Sequence, residues 1–263
     1  MNAKTILSLT VLGAVTAASA AVKTANTLCR IEVASGTKNT IVAVPLVKIG
    51  TSDGAIPVTD LVLTDNMSER DTILHWNGSS WDAWAISGGK WTPTVISEGS
   101  KNSASAPAAG TALARGDAIW VNRANPTVTE DGVTRAKPFY IYGQVATTAG
   151  ALPAIVRPTK EDELAYTMMG NTDLADKKIS EITFNGTPVA GDKIVWGSAE
   201  NATGTTEVEY KDGAWGFYES TVKTITVNGK TRKVISTEWK TSGLPMVPAG
   251  QGFWYVSQPA EVQ

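Results

Sequence analysis

The sequence has one cysteine, one histidine and few charges, with Asp, Glu, Lys and Arg making up 18% of 263 residues. A lone Cys29 permits no internal disulfide and no Cys-rich metal site. Thr27 and Leu28 are not the small residues that precede a lipidated cysteine, so Cys29 reads as a buried, inert thiol. With His75 as the only histidine, Ser-His-Asp and Cys-His schemes and any zinc site all hang on one residue. A single His beside Trp76 on a strand reads as a structural or rim residue rather than a general base. There is no nucleophile elbow, phosphate loop or His-Glu-x-x-His helix, and Asp and Asn are scattered rather than spaced as a calcium loop. These absences argue against an enzyme, and no cofactor or metal is expected. The 23 basic and 25 acidic residues form no basic patch, which argues against nucleic acid as a partner.

Long apolar runs are also missing beyond the first twenty residues. Lys4, the apolar run Thr5 to Ala17 and the small residues Ala18-Ser19-Ala20 have the order of a secretory signal peptide, too short to span a bilayer with margin. Residues 1–20 are therefore expected to be removed, with a mature start at Ala21. No second spanning stretch follows, so the mature chain is expected without a membrane span in the periplasm, at the cell surface or outside the cell.

What the chain has is glycine and tryptophan, 24 and nine residues. They fall in a pattern. Leu113, Gly116 and Trp120 recur at the same spacing as Val247, Gly250 and Trp254, each as a glycine turn feeding an apolar, β-preferring run. Earlier blocks repeat in the same order. Val58-Thr-Asp-Leu61 is answered by Ile179-Ser-Glu-Ile182, Asp71 to Trp76 by Asp192 to Trp196, and Gly88 to Trp91 by Lys211 to Trp215. This predicts an all-β protein of two tandem, duplicated sandwich or barrel-like units, separate or packed together. The first unit spans 21–145, a linker 146–160, and the second unit 161–263. Ser97 to Ala112, rich in Ser, Ala, Gly and Pro, reads as a loop.

Two departures break the repeat. Asp71 to Trp76 is one residue longer than Asp192 to Trp196, which turns those two tryptophans to opposite faces unless a bulge intervenes. The second unit also carries an insertion, Lys223 to Ile235, that reads as a β-hairpin turning at Asn228-Gly229 with a charged tip in solvent.

Gly116 to Trp120, Gly143-Gln144 and Gly250 to Trp254 give the chain a resemblance to a group of exported, β-rich bacterial proteins built from paired Gly-rich and Trp-rich units. The resemblance covers most of the mature chain. It implies architecture and brings no catalytic site with it.

Gly116, Trp120, Gly250 and Trp254 are the structural anchors of the repeat, and tryptophans matched across it are expected to fill the core. Trp81, Trp84 and Trp239 have no tryptophan counterpart and are the candidates for ligand contact. Asp71, Asp192 and Asp117 lie beside strands and would serve a paired-carboxylate hydrolase, but Asp after a turn more often binds local backbone. The expectation is a non-enzymatic structural or surface protein assembling with itself into a fibre or matrix. The alternative is a module binding an extracellular glycan through exposed tryptophans.

Overall fold

The computed structural model describes residues 28–33, 38–97, 103–148, 150–160, 163–197, 205–227 and 230–259, together with the backbone of Leu7–Leu12. The signal-peptide cleavage site at 18–20 lies outside the described residues. Leu7–Leu12, inside the expected leader, runs as an edge strand antiparallel to Leu28–Val33.

The protein is all-β, with one four-residue α-helix, Val58–Leu61, and a single 3₁₀ turn, Ile179–Glu181, among the described residues. No helix among them is long and apolar enough to cross a membrane. Two six-stranded sheets carry the two halves. In the first, the strands run in the order Asn39–Ala43, Ala118–Asn122, Thr72–Trp76, Trp81–Ser87 and Lys90–Pro93, with Ala104–Ser105 parallel to Trp81–Ser87. In the second, the order is Ala165–Gly170, Gly252–Ser257, Lys193–Gly197, Thr205–Lys211, Ala214–Val227 and Lys230–Lys240. The sequence-matched strands thus occupy the same places in the two sheets. Turn chemistry fixes the registers. Gly88 and Gly89 both have positive φ in the two-residue link between Ser87 and Lys90, as a hairpin turn matched to strand twist requires.

Each sheet buries alternate residues in its own core. On the first, Ile73, Trp84, Ile86, Ile119 and Val121 pack against Cys29, Ile31, Val33, Phe139 and Ile141 of a second, smaller sheet, completing a sandwich. On the second, Ile194, Trp196, Val208, Trp215, Phe253 and Tyr255 pack beneath Ile179 and Leu152. Each such large side chain withdrawn from water stabilises the fold by about 1.5–3 kcal/mol before conformational entropy is counted. Leu152 belongs to the expected linker, which is laid against the second unit: Ile155 N donates to Asn185 O at 3.0 Å. Part of the Ser97–Ala112 segment is likewise seated, since Ala104 is buried and bridges Ile96.

The remaining faces of the two sheets meet each other. Ala43 N donates to Gly250 O at 2.9 Å, and Gly170 N donates to Gly116 O at 2.8 Å, a reciprocal pair joining each unit to the other's anchor glycine. The contact is close because it is lined by glycine. A Cβ on Gly170 would lie 2.5 Å from the Asp117 carbonyl oxygen, and one on Gly252 would lie 2.4 Å from Ile41 Cγ2. The two units form one packed body.

Candidate functional site

The seam between the sheets is tight at its glycine end and opens at its aromatic end. There Trp76 and Trp81 of the first unit face Tyr166, Val195, Trp254 and Val256 of the second across a cleft of about 420 Å³. The rings stand edge to face: Trp76–Trp81 at 5.4 Å, Trp81–Trp254 at 5.7 Å, Trp81–Trp120 at 6.0 Å and Tyr166–Trp254 at 6.2 Å between centroids. Edge-to-face pairs stabilise by about 0.5–1.5 kcal/mol beyond their burial, so the cluster holds its own shape. The Trp76 Nε1 donates to Tyr166 O at 2.9 Å, which ties the two walls together.

Strand parity decides which rings reach the cleft. Trp76 lies directly opposite Trp81, so both point to the seam, whereas Trp84, three positions on, lies on the other face opposite Ile73. Trp84 is 4% exposed and packed in the first core, on the side of the sheet away from the cleft. Trp239 is elsewhere again. It stacks on Tyr218 at 4.9 Å between ring centroids, with Lys211 Nζ 5.8 Å from its ring, at the base of the long hairpin. Of the three candidate tryptophans, only Trp81 belongs to the cleft.

The anchors need a correction too. Trp120 and Trp254 do not fill the unit cores; both are half-buried on the seam face. Ile119, Val121, Phe253 and Tyr255 fill the cores instead. A strand that is apolar on both faces is covered on both, and here the second cover is the opposite unit. Gly116 does the work expected of an anchor, at φ +100° with its Cα against Ala151, where a Cβ would sit 2.3 Å from the carbonyl oxygen. Gly250 has φ +71° and lends its carbonyl to Ala43. The register also shows that Trp76 and Trp196 are not equivalent. Leu74 and Val195 are the residues paired with Trp120 and Trp254, so His75 stands where the second unit has Trp196.

His75 has carboxylates on both sides, with Nδ1 3.7 Å from Asp82 Oδ2 and Nε2 4.0 Å from Asp117 Oδ2. Among the described residues its buried Nδ1 has no hydrogen-bond partner. Burial pushes the Asp117 carboxyl above the usual carboxylate range, against the opposing pull of His75 and of the Ala114 N–H at 2.7 Å. Among the described residues no group of three or more His, Cys, Asp or Glu is arranged to hold a metal ion. Asp71 and Asp192 are enclosed and committed to structure. Asp71 accepts from Ser68 N and Ala124 N, at 3.0 and 2.8 Å. Asp192 accepts from the corresponding Val189 N and Gln258 N, from both terminal nitrogens of Arg157, and from Tyr255 Oη at 2.5 Å. Neither is placed to meet a substrate. Cys29 is buried as expected, and burial raises its thiol pKa.

The second surface feature is the insertion hairpin. Ala214–Val227 and Lys230–Lys240 pair from Phe217↔Lys240 out to Val227↔Lys230, and the Asn228-Gly229 turn expected between them lies outside the described residues. Among the described residues neither strand pairs with any other beyond Gly216, so within them the ribbon has two open edges over a length of about 30 Å. Tyr218, Val222, Ile225, Val234 and Ile235 are exposed on it, Val222 at 62% and its cross-strand partner Ile235 at 69%.

No family model, no curated protein and no solved structure matches this chain.

Proposed function

We propose that this is an exported, non-enzymatic structural protein that assembles with copies of itself, and that the 214–240 ribbon is its assembly arm. One observation carries the reading: a long two-stranded ribbon stands off the body with open edges and five exposed large apolar side chains. A monomer has reason to avoid such a ribbon, because unpaired strand edges and apolar ribbon faces recruit other chains. Those five side chains belong to neither core, unlike Trp215 and Phe217 at the base of the ribbon, so they serve something outside the unit. The two units of common plan, locked at the glycine seam, supply a rigid body from which the arm projects.

A second reading rests on the cleft. Trp76, Trp81 and Trp254 offer ring faces and edges to the C–H faces of a sugar, as a glycan-binding module would. Against it, the lining is nearly all apolar, and the Trp76 N–H is already spent on Tyr166 O. A sugar needs partners for its hydroxyls, since polar groups buried without hydrogen bonds cost free energy.

Light scattering of the exported chain over a concentration series tests the assembly reading. Wild type is expected to form large species as concentration rises, and the chain lacking Thr221–Ser236 is expected to stay monomeric while keeping its cooperative melt. A wild type that is monomeric at every concentration and shows no filaments by electron microscopy would end this reading.

A further inference from the structure

We infer that the arm of one copy docks in the aromatic cleft of a second copy, seating Val222 and Ile235 among Trp76, Trp81, Tyr166 and Trp254. The inference rests on the assembly reading above and specifies its contact.

The chemistry of the two surfaces matches. Val222 and Ile235 are directly opposite each other on the ribbon, and Tyr218 and Trp239 form a second rung on the same face, separated by the polar rung Ser220–Thr237. That face therefore presents a compact aliphatic pair midway along the two-stranded ribbon. The cleft is an apolar space of about 420 Å³, enough for two branched side chains but not for a packed sheet. Tyr166, at its mouth, is 46% exposed and would be covered by a visitor.

Charge decides between the possible partners of the arm. Residues 220–237 include Lys223, Lys230, Arg232 and Lys233 and no acidic residue, leaving 19 basic against 25 acidic residues in the remainder of the chain. Arm against arm would bring like charges together at close range, a recognised device against edge-to-edge pairing. Arm against body brings the basic tip to an acidic surface. Beside the cleft, on the sheet face that carries Trp254, Glu207 lies opposite Val195 and pairs with Lys193 Nζ at 2.8 Å, and Glu209 lies opposite Lys193, so two carboxylates share one cation there and the face keeps a net negative charge. Arm and cleft are different surfaces, so the contact is heterologous: copies joined this way propagate into a fibre unless the rotation happens to close a ring.

The experiment uses two variants of the exported chain and their mixture. Val222→Thr with Ile235→Thr removes the aliphatic pair while keeping β-branched residues on an exposed ribbon. Tyr166→Lys places a like charge at the cleft mouth, on an exposed edge-strand position. Each variant alone is expected to be monomeric by multi-angle light scattering at concentrations where wild type assembles. Mixed in equal amounts, they are expected to give a species of twice the monomer mass, because the intact arm of one fits the intact cleft of the other and growth stops there. Tyr166→Lys assembling like wild type would overturn the docking in the cleft while leaving assembly through the arm standing. A monomeric wild type would remove both. Saturable quenching of wild-type tryptophan fluorescence by a soluble β-1,4-linked glucan, abolished in Tyr166→Lys, would assign the cleft to a glycan and overturn the inference.

Discussion

The Trp76 indole N–H donates to the carbonyl oxygen of Tyr166, joining a central strand of the first sheet to the edge strand of the second across 90 positions of sequence. The cleft consequently depends on both units, each of which supplies one wall. Trp76→Phe keeps an aromatic ring and deletes the donor, and is expected to cost about 0.5–1.5 kcal/mol, the usual net worth of one hydrogen bond. Chemical denaturation with an unchanged slope would measure it, and near-zero cost would mean that the bond does not hold the seam.

Gly170 and Gly252 set how close the sheets come. A methyl on Gly170 would meet the Asp117 carbonyl oxygen at 2.5 Å and Ala43 Cβ at 2.6 Å, and the first of these is backbone that cannot rotate away. Gly170→Ala is expected to destabilise by about 1–3 kcal/mol, as overpacking does, and to widen the seam. Calorimetry would show a lower melting temperature, with the two units ceasing to melt as one transition. An unchanged single transition would refute the role given to this glycine.

Asp192 holds the far end of the second unit together. It is fully buried and accepts from Arg157, Tyr255, Val189 and Gln258. Burial, together with the bond to Asp192, raises the Tyr255 hydroxyl far above the usual tyrosine range, so the phenol stays protonated in the folded chain. Asp192→Ala would leave the Arg157 cation without its partner and is expected to cost about 3–5 kcal/mol, read by urea denaturation. In the wild type, alkaline titration followed at the phenolate band should show one tyrosine ionising only as the protein unfolds.

The turns, the strand blocks and the role of these aspartates were legible in the sequence because each rests on local chemistry. Gly88-Gly89 marks a tight hairpin, and Asp71 and Asp192 follow turns whose amides they bind. The difference between Trp81 and Trp84 was also within reach, since three positions along a strand reverses the face. What the sequence hides is the seam. Trp120 and Trp254 read as core because their strands are apolar on both sides, and no pattern within a strand says whether its second cover is its own unit or its neighbour. The cleft forms only when that long-range packing brings Trp81 against Trp254.

Asp117 gives the fold a definite response to acid. Its carboxyl is raised, chiefly by burial, so the folded chain binds its proton more tightly than the unfolded chain does. The sign follows by linkage: the charged carboxylate penalises the fold at neutral pH, and the penalty is relieved as pH falls through the raised value toward the ordinary 3.8. Asp117→Asn keeps an acceptor for Ala114 N and removes that charge. The variant is expected to be at least as stable as wild type at pH 7, with the difference shrinking as pH falls through the raised value and gone below the ordinary 3.8. Melting temperatures across this range decide it, and a variant that is less stable at neutral pH would show that attraction to His75 outweighs burial.

The tryptophans divide by what alanine would leave behind. Trp84 is enclosed in the first core, 4% exposed and packed with Ile73 and Ile86, so Trp84→Ala opens a cavity that the two sheets of that sandwich cannot close. A loss of about 3–5 kcal/mol is expected, a large part of a typical domain's stability. Trp81 sits on the opposite face with one side toward the open cleft, so Trp81→Ala removes ring contacts to Trp76, Trp120 and Trp254 but enlarges a space that water already reaches. Its cost is expected to be less than half that of Trp84→Ala, while any binding at the cleft is lost. Denaturation curves for the two variants, set beside the assembly assay, separate the roles. Equal costs for the two would mean that the cleft closes over Trp81 in solution, and a stable Trp84→Ala chain would mean that the first core lies elsewhere.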